Sequence, residues 1–220
     1  CTKYDHSNNC ISYVVSPNRV IFKDFNIIVM SENEKKAQDS IDYSADNIQV
    51  LDCNIRTGGY YLDVVKNKLS EFNPDIVGLS MMFDNSYKHV KDLTTVIKEY
   101  RNDMLIVMGG AATTPTYKAM LEEQEDIEAI CFQEGELPFL RLIDSGDVEE
   151  VLANDESWIT RGTLEVGRIP KKSVIKDLDV VIDIDYSFIN IADYPMREAF
   201  SPFVGERTEQ KQFYVITSRG

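Results

Sequence analysis

Three short stretches hold the side chains best suited to chemistry, and each stands where an apolar run ends. Ser80-Met81-Met82 closes the run from Ile76, Gly109-Gly110-Ala111-Ala112-Thr113-Thr114 follows Met104–Met108, and Gln133-Glu134-Gly135-Glu136 follows Glu128–Phe132. Runs this short, bounded by polar residues and glycine, read as strands buried on both faces. In an open α/β sheet, ligands gather at the carboxyl ends of such strands. Gly109 and Gly110 have no Cβ, so a ligand can approach the main chain there, although the doublet also suits a plain strand-to-helix turn. The hydroxyls of Ser80 and Thr113, beside the small Ala111, suit the polar tail of a nucleotide-like ligand. Met81 and Met82 are polarisable and could wall a large flat ligand, or simply pack in the core. Glu134 and Glu136 could act as a carboxylate pair, but a helix start that favours negative charge explains Glu136 better. Asp52 and Asn54 end an earlier run, Ile48–Asp52, and either reach the same crevice or only cap their loop.

Equally informative are the missing motifs. No Gly-x-Gly-x-x-Gly follows the first strand, and no phosphate-loop lysine pattern occurs. A nucleophile elbow and a His-Glu-x-x-His helix are also missing. The four cysteines, Cys1, Cys10, Cys53 and Cys131, show no metal-ligand spacing. Cys53 and Cys131 read as small core residues in a cytosolic, reducing setting. Of the two histidines, His6 lies in a polar stretch, and His89 reads as a solvated helix position.

The elements that must position these stretches follow from periodicity. Phe25–Met30 and Ile48–Asp52 are the first two strands. A helix with Leu62, Val65, Leu69 and Phe72 on one face follows, stopped by Asn73-Pro74. The third strand, Ile76–Met82, leads to a helix capped by Asp84-Asn85-Ser86, with Val90, Leu93, Ile97 and Tyr100 inward. Met104–Met108 precedes a helix that turns Tyr117, Met120 and Leu121 inward. Glu128–Phe132 precedes one with Pro138 in its first turn. Asp147 caps a last helix over 148–153. This alternation predicts a doubly wound parallel five-stranded sheet, strand order 2-1-3-4-5, with Ser80, Gly109 and Glu134 at one edge. Beyond it, Trp158–Val166 reads as a small hairpin turning at Arg161-Gly162, and 167–212 as an extended connector. The expected units are an N-terminal extension (1–24), the α/β domain (25–155), hairpin and connector (156–212), and a further strand (213–220).

With 43% hydrophobic and 27% charged residues, the chain has the composition of a globular domain. Its net charge of −14 argues against nucleic acid and anionic membrane as partners, since both select basic surfaces. No apolar run approaches the ~18 residues of a membrane span. Cys1 in place of an initial Met leads us to expect sequence upstream.

Ser80-Met-Met82 on the third strand, followed by Gly109-Gly110 on the fourth, resembles the cobalamin-binding domain family. The resemblance implies that these residues line the slot for the nucleotide tail of cobalamin. Met82 stands in place of the family's leucine. The Asp-x-His-x-x-Gly motif expected after the first strand is absent, because Val29–Lys35 contains no histidine, so the cobalamin implied is one without a histidine lower ligand. Glu134-Gly-Glu136, Asp177-Leu-Asp179, Asp193-Tyr-Pro195 and the final Tyr214–Gly220 resemble the N-terminal half of cobalamin-dependent radical SAM enzymes. There, Thr-Ser-Arg-Gly precedes the cysteine triplet of the 4Fe-4S cluster. The resemblance implies a domain that binds the corrinoid through Asp52, Asn54, Ser80, Met81, Met82, Gly109, Gly110, Ala111, Thr113, Glu134, Gly135 and Glu136. The cluster, S-adenosylmethionine and the radical chemistry, often methylation, would belong to the full-length protein, whose C-terminal radical SAM domain is the expected partner. The alternative is a vestigial domain of the same shape, without cofactor, serving as an interaction module. A flavodoxin-like or receiver-like module ranks below both.

Overall fold

The computed structural model describes residues 25–30, 48–53, 61–82 and 84–176. Expectations placed on 1–24, 31–47, 54–60, Phe83 and 177–220 lie outside the described residues. They include Asn54, most of the connector and the final strand.

Six strands form one sheet: β1 Phe25–Met30, β2 Ile48–Asp52, β3 Ile76–Met81, β4 Leu105–Gly109, β5 Ala129–Cys131 and β6 Trp158–Ile159, in spatial order β2-β1-β3-β4-β5-β6. The order of the first five is the one the sequence suggested. Their directions are not. β3, β4 and β5 are mutually parallel, but β1 runs antiparallel to both β2 and β3, and β6 antiparallel to β5. Four strands, β2 to β5, therefore share one direction, and the sheet is open, mixed and six-stranded. Parallel neighbours need a crossover of a dozen or more residues, usually a helix. Helical sequence supplies it after β3 and β4. Between β1 and β2 only Ala37, Ile41, Tyr43 and Ala45 could anchor such a helix, whereas antiparallel pairing requires none.

Two helical layers cover the sheet. On the first face α1 (Tyr61–Phe72), α2 (Tyr87–Tyr100) and α3 (Thr113–Glu123) pack on Val77, Leu79, Met81, Ile106, Met108 and Ile130. On the second, α4 (Glu136–Asp144) and α5 (Val148–Asn154) pack with Trp158 on Ile76, Val107, Ala129 and Cys131. The split follows from strand alternation, which sends odd and even positions to opposite faces. α1 stops at Asn73, whose left-handed backbone (φ 46°) lets its N–H donate to Leu69 O. Asp147 caps α5 as its position suggests, accepting from the Glu150 N–H.

Three local expectations are corrected. Asp84–Ser86 forms a 3-10 turn, and Ser86 makes no side-chain capping bond to α2. Tyr100 is exposed, its hydroxyl donating to Asn73 Oδ1, because it ends α2 beyond the core. The hairpin at 158–166 is a two-residue strand followed by helix α6, Arg161–Glu165. Thr160 and Thr163 form a reciprocal capping box, which starts a helix where Arg-Gly suggested a turn. Arg161 then donates to Ile127 O and Gln124 O, tying α6 to the loop after α3.

Candidate corrinoid-binding site

Because β3, β4 and β5 are parallel, their carboxyl ends meet at one edge. The register aligns Asp52, Asn26, Ser80 and Gly109 in a single row across β2, β1, β3 and β4. Three of the four are sequence candidates. Asn26 was not among them.

On the second face, side chains shrink toward this edge. β3 presents Ile76, Gly78 and Ser80, and β4 presents Leu105, Val107 and Gly109. A Cβ built on Gly109 would lie 3.9 Å from the Cβ of Cys131, an ordinary contact. A side chain at 109 would therefore begin without a clash against the backbone. Gly78, buried on the same face, belongs to this taper and was also missed.

Gly110 has a different task. It alone of the doublet has positive φ, at +107°, and a Cβ there would lie 2.4 Å from Met81 O. Its carbonyl accepts from the Thr113 N–H and, at 2.6 Å, from the Thr113 hydroxyl, while the Ala112 N–H donates to Met81 O. Thr113 is fully buried, and its hydroxyl proton is committed to this turn. Ala111 is exposed at the edge. Met81 buries its side chain in the first-face core, whereas Met82 is exposed where the strand leaves the sheet.

The loop between β5 and α4 closes the site. Gln133 has a left-handed backbone (φ 65°), and its N–H donates to Thr114 Oγ1, coupling this loop to the first turn of α3. Glu134 is half-buried, and its Oε2 accepts from the Ile175 N–H at 3.1 Å. Gly135 is the N-cap of α4, and Glu136, in the first turn, is buried. Burial pushes the Cys131 thiol up to about 12, reinforced by Asp155 and Glu136 and opposed by Arg141. It is therefore a neutral thiol at physiological pH, donating to Glu134 O. Among the described residues no group of three or more His, Cys, Asp or Glu could hold a metal ion.

His89 lies in the first turn of α2, which follows β3. It is half-buried on α2, with Tyr61 OH 3.1 Å from its Nδ1 and the two rings edge-on at 5.3 Å. The solvated position expected for it is corrected: Tyr61 opens α1, which packs directly on α2 and covers the ring.

α4 is braced from below by Arg141, whose Nε donates to Asp155 Oδ2 at 2.6 Å. Burial alone would raise the Asp155 carboxyl, but the bonds from Arg141 and the Ser157 N–H hold it below its ordinary 3.8. A depressed carboxylate adds stability above its unfolded value, and the contribution is lost as pH falls through the folded one. The gap in melting temperature between wild type and Asp155→Asn should therefore be full at pH 7 and close as pH falls below 3.8. A gap independent of pH would exclude the ion pair as its source.

With this geometry in place, comparison with known proteins shows what the segment is similar to. Residues 40–143, just under half of the chain, match the B12 binding domain family. This stretch is similar to B12 binding domains. The chain also has distant relatives among known proteins. Over 92 residues the chain is 34% identical to an anaerobic magnesium-protoporphyrin IX monomethyl ester cyclase of Rubrivivax gelatinosus, covering 42% of this chain and 16% of that protein. Over 121 residues it is 29% identical to a cytidylyl-2-hydroxyethylphosphonate methyltransferase of Streptomyces wedmorensis, covering 54% of this chain and 22% of that protein. An uncharacterized methyltransferase of Pyrococcus horikoshii is 27% identical over 129 residues, covering 57% and 27%. The matched stretch is thus roughly a quarter or less of each relative. No solved structure matches the chain. No described helix is long and apolar enough to cross a membrane.

Proposed function

We propose that this domain binds cobalamin by its nucleotide tail, in the tapered hollow over Gly78, Ser80 and Gly109 and beside α4. The observation that carries the reading is the loss of side-chain volume along two adjacent parallel strands toward their carboxyl ends, on the face where α4 packs. A planar heterocycle of a nucleotide tail needs such a flat, small-residue floor. Ser80 supplies a hydroxyl at its rim. Gly110 and Thr113 fix the loop that borders it, and Ala111, Met82, Glu134, Gly135, Glu136 and the end of β2 at Asp52 stand along the same edge. Cobalamin, once bound, supplies the ability to carry an alkyl group between donor and acceptor. The protein binds it, orients it and limits water around it.

The test is titration with hydroxocobalamin, followed by visible absorption. Gly109→Val should weaken binding on the order of 100-fold or more, equivalent to ~2.7 kcal/mol, with little change in melting. His89→Ala should leave affinity and spectrum unchanged. Wild-type protein that stays colourless throughout would remove cobalamin and leave the vestigial module as the better account.

Within the parent protein we propose that this domain serves a radical SAM enzyme. The cyclase and methyltransferase relatives and the Thr217-Ser-Arg-Gly220 motif support this. The 4Fe-4S cluster and S-adenosylmethionine would then be held by sequence outside the 220 residues. Gene sequence downstream of Gly220 should encode Cys-x-x-x-Cys-x-x-Cys, and a cysteine-free continuation would remove the radical SAM assignment alone.

A further inference from the structure

The Glu134 carboxylate faces a segment that the sequence left as free connector. After α6 the chain turns at Gly167 (φ 69°), where Gly167 and Arg168 donate to Leu164 O and Thr163 O. It then meets the domain at two points. Lys171 donates its N–H to Glu156 O at 2.9 Å and its Nζ to Glu156 Oε1 at 2.7 Å. Four residues on, the Ile175 N–H donates to Glu134 Oε2, and the Ile175 side chain is buried at 8% exposure.

Both points lie at the carboxyl edge. Glu156 precedes Ser157, whose carbonyl accepts from the Phe132 N–H just past the end of β5. Glu134 belongs to the loop that follows. The chain therefore crosses this edge over 171–175 and passes beside the loop that carries Glu134. The two ties are unequal. Lys171 and Glu156 are both more than half exposed, and such pairs contribute little. The Glu134–Ile175 bond is charge-assisted, and its partner side chain is buried.

We infer that Glu134 is a positioning residue, a clasp that holds residues 171–175 across the carboxyl edge and so fixes where the following chain departs. The assignment does not depend on which ligand the hollow accepts. The rival role for Glu134 is electrostatic, a negative charge one residue before the Gly135 N-cap of α4. The two roles separate by substitution. Glu134→Gln keeps the length and an acceptor oxygen but removes the charge. Glu134→Asp keeps the charge but withdraws it by one methylene from the amide.

Hydrogen exchange of the 171–176 backbone in the full chain reads the clasp directly. Glu134→Ala and Glu134→Asp should speed exchange there at least about five-fold, the loss of one net hydrogen bond, while Glu134→Gln stays within about two-fold of wild type. Exchange in β3 and β4 should not change. If Ala disturbs those strands as well, the Asp and Gln variants decide the matter. Asp behaving as wild type with Gln behaving as Ala would overturn the clasp in favour of the dipole. Three variants indistinguishable from wild type at 171–176 would overturn it in favour of Ile175 burial alone.

Discussion

Gly110→Ala should destabilise the domain by roughly 3–5 kcal/mol, and Gly109→Ala by well under 1 kcal/mol. The two glycines are adjacent and identical in chemistry, so the contrast isolates geometry. At Gly110 an added methyl would sit 2.4, 2.7 and 2.8 Å from the O, N and C atoms of Met81. Those are backbone atoms, and they are held. Met81 lies in β3, paired with β1 and next to β4, and its carbonyl accepts from the Ala112 N–H. Nothing there can rotate away as a side chain would. The positive φ of 107° adds strain of its own. At Gly109 the same methyl would find only Cys131 Cβ at 3.9 Å. For a unit of this size, the loss at Gly110 corresponds to a fall on the order of 10 °C in melting temperature. Thermal melts followed by far-ultraviolet circular dichroism measure both variants. Equal losses at 109 and 110 would contradict the close approach of β3 and β4.

Trp158→Ala should cost about as much, roughly 3–5 kcal/mol, by a different route. Trp158 is 1% exposed and fills the space between β5 and α4, packed with Cys131, Leu140 and Leu152. Its ring lies 6.5 Å from that of Phe139, and its indole N–H donates to Pro138 O in the first turn of α4. Truncation opens a cavity and strips the Pro138 carbonyl of this donor. Trp158→Phe separates the parts, because it keeps most of the volume and loses only the N–H; a cost of ~1–2 kcal/mol is expected. Chemical denaturation of the three proteins orders them. A Phe variant as unstable as Ala would mean that the hydrogen bond, not packing, holds α4 in place.

Much of this architecture was legible because it is written in apolar periodicity. Val65 and Leu69, Val90 and Ile97, and Met120 and Leu121 are buried as their spacing required. Asp147 and Pro138 marked two helix starts through chemistry that acts within one turn. What escaped depends on partners distant in sequence. An apolar run such as Phe25–Met30 specifies a strand but not its direction, which is set by whether a crossover can be anchored. Thr160-Arg-Gly-Thr163 holds the same residues as a turn, and only the reciprocal capping bonds make it a helix start. In Gly109-Gly110, which glycine carries positive φ was decided by β3, about thirty residues earlier in the chain. The candidate row showed itself at Ser80, Gly109 and Asp52 because glycine and polar residues stand out at strand ends. Gly78 was hidden inside an apolar run, and the Glu134 partner lies 41 residues away.

β6 is only two residues long, yet it covers the edge of β5. A sheet edge presents unpaired N–H and C=O groups that can template association with another chain. Ile159 and Trp158 pair with Ile130 and Cys131, the chain turns at once into α6, and Arg161 ties that helix back to Ile127 and Gln124. The free edge on this side is thereby reduced to a stub. The family match ends at residue 143, before any of this. A protein trimmed to that boundary would bare the β5 edge, with Ile130 and the bed of Trp158 open to water. Such a fragment should associate through that bared edge more readily than the longer chain, which size-exclusion chromatography of the two would show.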